Sequence, residues 1–328
     1  MCGGALLSSV AVASSSYSAL SYFDGSYKGF SIGGKNFSIS TGEFHYLKHN
    51  GFQLFRLLVQ LEYNSYTEQY EVSNYSQLVF NKVYKDSQEV GFKLILGIGG
   101  IKKKDWVREG FDVKLASFWS GIAQKYKEDL NIIAFDLLNE PTPAFSSHVK
   151  NEQVWRQVAT TSIEAIRKED ASRVVVFEPA PWGLPDGFKW LKFPLDFDGV
   201  VYSFHMYKPH IFTHQGVRGR GLNVEYPSLE RGWDINFLRD VVSPVKSFQK
   251  RFSVPIYIGE FSSIRYAPGD SRRRYIKDLL LIWKERQWAW TYHTYGGWDG
   301  WDPEIVSTNP KIKQRVSNSE IMRMLVEY

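Results

Sequence analysis

Residues Ile132–Pro141 read IIAFDLLNEP, a nearly unbroken apolar run that delivers Asn139 and Glu140 and then stops at Pro141. A half-buried strand alternates apolar with polar residues, whereas a continuous apolar run suits a parallel strand covered on both faces. The same character recurs on either side, in LILGI at Leu94–Ile98 and VVVF at Val174–Phe177. Further outward, strand-like runs fall at Tyr27–Ile32, Gln53–Val59, Phe92–Ile98, Asn131–Leu138, Arg173–Phe177, Gly199–His205, Val254–Gly259 and Trp288–His293. Helical stretches separate most of them, including Asp112–Glu128, Asn151–Glu169, Asp234–Arg251 and Ser271–Arg286. The last carries Tyr275, Ile276, Leu279, Leu280 and Trp283 at a helical period. Strand alternating with helix predicts βα units. Eight such units over roughly 300 residues fit an α/β fold of the closed (β/α)8 TIM barrel type better than an open doubly wound sheet.

Composition agrees with one folded domain. The chain has 328 residues, 43% hydrophobic and 23% charged, enough apolar content for a single large core. The expected division is a flexible leader or signal-like segment over residues 1–25 and the barrel over residues 26–328. Residues 3–22 are small, Ser-rich and uncharged, with an apolar stretch at Ala5–Ala13 but no basic n-region. The net charge of +5 is spread among acids for most of the chain, and Arg272–Arg274 with Lys277 reads as a solvated helix face. With no stacking or zinc motif beside that charge, no nucleic-acid partner is expected. The single cysteine, Cys2, excludes an internal disulfide. No run reaches the ~18 apolar residues of a membrane span. A monomer is expected, in a secreted or periplasmic rather than cytoplasmic location. Aromatic residues make up 16% of the chain, which suits both a Tyr/Phe-rich core and a cleft of flat rings facing the apolar faces of sugars.

A barrel gathers its reactive groups where strands end and βα loops begin. The fourth predicted strand ends in Asn139–Glu140, and the seventh ends in VPIYIGEFSS, which delivers Glu260 just after a glycine. Two carboxylates on facing sides of one barrel mouth are the minimum equipment for cleaving a glycosidic bond, and a separation of about 5–5.5 Å would predict retention of configuration. An Asn-Glu-Pro tripeptide alone is weak, and a lone strand-end Glu is commonly exposed or salt-bridged. Their joint placement carries the argument.

The segments GFQLFR, FDLLNEP, FHMYKPH, IYIGEFSS and WAWTYHTYGGWDGW resemble the cellulase-type family 5 of the glycoside hydrolases, over about Gly33 to Glu304. The resemblance implies a (β/α)8 barrel cleaving β-linked glucan, mannan or a related glycan by double displacement, with an oligo- or polysaccharide as partner and no cofactor. It implies Glu140 as acid/base and Glu260 as nucleophile. It further implies Asn139 on the sugar 2-hydroxyl, Arg56 supporting the nucleophile, His205 and Tyr207 lining the cleft, and Trp290 as the sugar platform, with Trp298 its rival. One departure stands out: many members carry His at the end of strand three, where this chain reads LILGIGGI.

The residues themselves agree. A nucleophile must be ionised, and Arg56 and Tyr207 are suitable neighbours for Glu260. A proton on Glu140 is favoured by a nearby ionised Glu260. Asn139 beside Glu140 conflicts with strict strand alternation, so a bulge or the break before Pro141 must aim both inward. Glu178, ending VVVFEP, is a third strand-end carboxylate and the chief rival of the pair, while Asp136 is expected in a buried hydrogen-bond network. His210, His214 and His293 match no compact ligand set, so no metal is expected. The glycines of GIGGI form no phosphate loop. The segment Lys208–Trp233 is long for a βα connection and is expected to overhang the cleft. Two other readings compete: a catalytically silent barrel that binds carbohydrate, and a barrel of different chemistry, which would need phosphate or metal ligands.

Overall fold

The computed structural model describes residues 19–33, 37–143, 145, 147–219 and 221–328. Among the described residues, nine strands follow in chain order: β1 (Lys28–Gly33), β2 (Leu54–Asn64), β3 (Gln69–Val72), β4 (Lys93–Gly99), β5 (Ile132–Asp136), β6 (Val174–Phe177), β7 (Val200–Met206), β8 (Ile256–Phe261) and β9 (Ala289–His293). All but β3 pair in parallel, and β1 contacts both β2 and β9, which closes an eight-stranded barrel. The fold is the expected single-domain (β/α)8 barrel. The helices relevant to the site are α1 (Thr41–His49), α2 (Asn74–Val90), α3 (Phe111–Tyr126), α4 (His148–Glu169), α5 (His210–Thr213), α6 (Ile235–Val241), α7 (Ser243–Phe252), α8 (Ser271–Arg286) and α9 (Glu320–Glu327). No helix among the described residues is long and apolar enough to cross a membrane.

The expected elements shift in places for identifiable reasons. β2 runs past Val59 to Asn64 and folds back on β3 as an antiparallel hairpin at the barrel rim. The stretch expected as one helix over Asp234–Arg251 is two, because Pro244 lacks an N–H and is tolerated only at the start of α7. Arg272 is not part of a solvated face. It is buried, and its guanidinium donates to Tyr292 and to the carbonyls of Trp301 and Asp302, tying α8 to the loop after β9.

The inside of the barrel is filled in layers. Leu54, Ile95, Ala134, Val174, Val201, Tyr257 and Ala289 form the lower layer. Phe23, from a 3-10 turn at Ser21–Phe23, closes the bottom, its ring edge-on to Tyr257 at 5.4 Å between centroids. Ala19, Leu20 and Tyr22 pack beside Phe23 on this layer, and most of the segment expected as a leader, residues 1–18, lies outside the described residues. Above the apolar layer the inward positions turn polar. On β2, Leu54, Arg56, Leu58 and Gln60 climb from floor to mouth with the period of two that a strand imposes.

Candidate active site

Arg56 is the hub. It is fully buried, and its planar fork reaches Asp136 Oδ2 through Nε at 2.6 Å, Glu260 Oε1 through Nη1 at 2.8 Å and Glu178 Oε1 through Nη2 at 2.5 Å. Nη2 also donates to Asn139 Oδ1 at 3.0 Å. A guanidinium this deep is tolerable only with carboxylates around it, and its fixed geometry positions all of them together. Asp136 is thus the network anchor expected from its place in the strand.

Glu260 owes its direction to a bulge. β7 and β8 are in simple register through Phe204 and Ile258, and then His205 pairs with Glu260, so Gly259 is the extra residue. Unbroken alternation from Tyr257 would aim Gly259 inward and Glu260 out toward the helices. The bulge turns Glu260 to the mouth. Glycine is required there, since a Cβ on Gly259 would stand 2.7 Å from Ser203 Oγ and 3.0 Å from His205 Nε2. Besides Arg56, Glu260 accepts from Tyr207 OH at 2.8 Å and from Ser31 Oγ at 3.4 Å. His293 Nδ1 lies 3.9 Å from its Oε1, and His205 Nδ1 lies 3.8 Å from its Oε2. Burial by itself would raise the Glu260 pKa, but His293, His205, Arg56 and the Tyr207 hydroxyl outweigh it and hold the carboxyl well below the usual range. Burial lowers the proton affinity of His293 itself, so at neutral pH the charges that hold Glu260 ionised are those of Arg56 and His205. Tyr207 stays a phenol, because burial and the Glu260 charge push its pKa well above the ordinary value.

Glu140 is presented differently. β5 ends at Asp136, so strand alternation no longer constrains residues 137–140. The Asn139 N–H donates to the Ile98 carbonyl at 2.8 Å, and Glu140 adopts a left-handed backbone with φ of 49°. Its N–H is fixed by Glu178 Oε2 at 2.8 Å. The break before Pro141, rather than a bulge, is what aims Asn139 and Glu140 to the same side. The Glu140 side chain is partly exposed, with Oε1 3.0 Å from His205 Nδ1. An oxygen of Glu140 lies within 4.8 Å of an oxygen of Glu260. Glu178, the third strand-end carboxylate, is fully buried beneath both, bound to Arg56.

His205 sits between these acids. Burial disfavours its charge, yet the charges of Glu178 and Glu260, with the hydrogen bond to Glu140 and the close Glu178 contact, push the imidazole pKa up to about 10. The donor atoms of Glu140, His205 and Glu260 lie close enough to share a cation. An imidazole held protonated and the Arg56 guanidinium 2.8 Å from Glu260 oppose a metal there.

The carboxylates open into a cavity of about 830 Å³ whose walls include Leu58, Gln60, Trp182, His293, Trp298 and Trp301. Trp290 is absent from them. It is 3% exposed and packs edge-on against Phe261 at 5.5 Å, in the layer between barrel and helices. Parity explains the correction: Ala289, Thr291 and His293 face inward on β9, so Trp290 and Tyr292 face out. The same parity, read from WAWTYH, identifies His293 as an inward strand-end residue, which a search for metal-ligand spacing passes over. Two exposed rings stand at the mouth, Trp182 at 53% and Trp298 at 39% accessible, and Trp298, on the loop after β9, is set edge-on to Trp301 at 4.8 Å. Trp301 in turn stacks on Tyr207. Gly300 is pressed against the Trp298 ring, where a Cβ would come within 2.4 Å. Of the long segment Lys208–Trp233, Lys208, His210 and His214 reach the cavity wall, while Leu229 lies far out in solvent. Trp298→Ala is expected to lower kcat/KM by roughly thirtyfold, ~2 kcal/mol, with little change in Tm. Trp290→Ala should instead cost about 3–5 kcal/mol of stability. Parallel melting curves and kinetics on both variants check the assignment, and the reverse pattern would return the platform to Trp290.

The comparisons with known proteins converge on one family. Endoglucanase H of Acetivibrio thermocellus is 27% identical over 204 residues, 60% of this chain and 21% of that protein. Cellodextrinase A of Ruminococcus flavefaciens is 27% identical over 175 residues, 51% of this chain and 49% of that protein. Endoglucanase C of Acetivibrio thermocellus is 26% identical and is matched over 56% of its length, so the chain spans about half or less of the curated relatives it matches. Among solved structures, endoglucanase Cel5A from the hyperthermophilic Thermotoga maritima superposes with a TM-score of 0.78 at 20% identity, covering 94% of this chain and 99% of that one, a likeness of fold. The description Cellulase (glycosyl hydrolase family 5) matches residues 21–302, most of the barrel and both carboxylates at its mouth, and the chain belongs to that family.

Proposed function

We propose that the chain hydrolyses β-linked glucan with retention of configuration, with Glu260 as nucleophile and Glu140 as acid/base. The observation that carries this is the approach of the two carboxyls to within 4.8 Å at one barrel mouth, in unlike surroundings. Inverting enzymes hold the pair about 6.5–9.5 Å apart to admit a water, and retaining ones hold it near 5 Å. Glu260, kept ionised by Arg56 and the Tyr207 hydroxyl, attacks the anomeric carbon as Glu140 gives its proton to the leaving oxygen. A glycosyl ester on Glu260 results. Glu140, now a carboxylate, takes a proton from water as that water attacks the same carbon and frees Glu260. Asn139, with its Oδ1 held by Arg56, has its amide nitrogen left for the sugar 2-hydroxyl. Glucan is favoured over other glycans because the matched relatives are named endoglucanases and a cellodextrinase. A silent binding barrel would have no need of an ionised Glu260 facing Glu140.

The test is turnover of soluble β-glucan followed by proton NMR of the newly formed reducing end. Retention requires the β-anomer first. The α-anomer first, or no turnover across β-linked glucans and mannans, overturns the reading. Glu140→Ala should separate the roles. It should cost roughly a hundred- to ten-thousandfold on glucan, yet spare aryl glycosides whose acidic leaving groups need no proton. Equal losses on both substrates would remove Glu140 from the acid role.

A further inference from the structure

Glu178 follows the last residue of β6 and, with its side chain fully buried, does not line the cavity, yet one of its oxygens holds Glu140, which does, and the other meets Arg56 and His205 in the network beneath. Oε2 accepts the backbone N–H of Glu140 at 2.8 Å, and Oε1 lies 2.5 Å from Arg56 Nη2 and 3.0 Å from His205 Nε2. The turn that follows binds the same neighbours. Trp182 N–H donates to the Pro141 carbonyl at 3.1 Å, and His205 N–H donates to the Gly183 carbonyl at 2.7 Å. Gly183 is left-handed, and a Cβ there would strike Glu178 Oε2 at 2.6 Å. From below, Trp155 Nε1 donates to the Glu178 carbonyl at 2.7 Å. Glu178 is therefore fixed from every side, and Glu140, in its left-handed conformation after the end of β5, is held in place through it.

We propose, resting on the function above, that Glu178 is a positioning residue for the acid/base: it clamps the Glu140 backbone and keeps His205 a charged donor to the Glu140 carboxyl. His205 links the two. Its Nδ1 bonds Glu140, and its Nε2 lies 3.0 Å from Glu178 Oε1 as an ion-pair contact without a directional hydrogen bond, so a protonated imidazole is the form attracted to both acids. The groups around it are Glu140 beyond β5, Asp136 on β5, Glu178 beyond β6, Glu260 on β8, His293 on β9 and, across the shared Glu178 oxygen, the Arg56 cation on β2. Of these, Glu178 is the largest single source of its raised proton affinity.

Glu178→Gln keeps the shape and an oxygen for the Glu140 N–H, and it replaces the charged Oε1 acceptor beside Arg56 and His205 with an amide NH2, which suits an unprotonated His205 Nε2. In the wild type, nitrogen-15 NMR of His205 at pH 8 should show both ring nitrogens protonated. In Glu178→Gln the imidazole should titrate at least one pH unit lower, and the alkaline limb of kcat/KM for phenyl β-cellobioside, set by loss of the Glu140 proton, should move as the imidazolium 3.0 Å from that carboxyl is lost. A residue that only fills space would change Tm, or lower activity uniformly, without moving that limb. A neutral His205 in the wild type at pH 8 overturns the proposal, and this holds even if the variant does not fold. An unmoved titration and limb in a folded, active variant overturn it as well. Absence of turnover by the wild type on every β-glycan would instead remove the hydrolase reading, while the NMR result would still decide what Glu178 does to His205.

Discussion

Glu260→Gly is expected to lower kcat on β-glucan at least about ten-thousandfold, ~5 kcal/mol of barrel-mouth catalysis, without unfolding the protein. The chemistry requires it: without the carboxylate no glycosyl ester forms, and water has no second carboxylate to activate it from that side. The variant should lose some stability at neutral pH but stay folded, because Arg56 keeps two of its three acids, Asp136 and Glu178. The space vacated beside Tyr207 and His293 suits a small anion. Added azide should therefore restore turnover of an activated aryl β-cellobioside. The azide nitrogen bonds to the anomeric carbon as the phenolate departs, giving the α-glycosyl azide. The acid/base variant should behave oppositely, since azide would then attack the glycosyl ester on Glu260 and give the β-glycosyl azide. Finding the β-azide from Glu260→Gly would exchange the two assignments.

The barrel, the carboxylate pair and most of the supporting set were legible in the sequence because they rest on periodicity and on strand ends. Continuous apolar runs such as IIAFDLL locate the strands, and Pro141 marks where one must stop. Arg56, Asn139, His205 and Tyr207 all come to the cavity or to the network beneath it. Trp290 was misread because closeness to a strand end was weighed without parity, and on β9 parity decides. How Glu260 turns inward was illegible for a different reason. The bulge at Gly259 depends on the ring of His205, a residue more than fifty positions earlier, and no local pattern encodes that contact. Glu178 shows the same limit. Its position at a strand end makes it look like a rival to the pair, and only burial under Arg56 and His205 assigns it a supporting place.

Arg56→Met should be the most damaging change to stability and activity together. It leaves Asp136, Glu178 and Glu260 around a site that no longer holds a cation, and breaking a buried ion pair by removing one partner costs about 3–5 kcal/mol. A fall in Tm of roughly 4–7 °C follows at neutral pH. The pH dependence tests whether charge is the cause. In the wild type, burial pulls the Glu178 and Glu260 pKa values up, but the cations outweigh it and hold them low. Their contribution to stability is therefore full above the unfolded carboxyl pKa of about 4.3 and is lost as pH falls through the folded values. Without Arg56 the balance at these carboxyls shifts toward burial. Their folded pKa values rise, and ionisation begins to oppose folding. Asp136, already pushed up to about 6 with Arg56 beside it, moves further in the same direction. The gap in Tm between wild type and variant should thus be widest near pH 7.5 and narrow markedly by pH 4.5. Activity at neutral pH should fall roughly a thousandfold, ~4 kcal/mol, because Glu260 loses both its charge support and its fixed orientation. Arg56→Lys, which restores a point charge without the fork, should recover part of the stability and little of the activity. A Tm gap that stays constant from pH 4.5 to 7.5 would mean that Arg56 matters as packing volume, and its electrostatic place at the centre of the site would have to be abandoned.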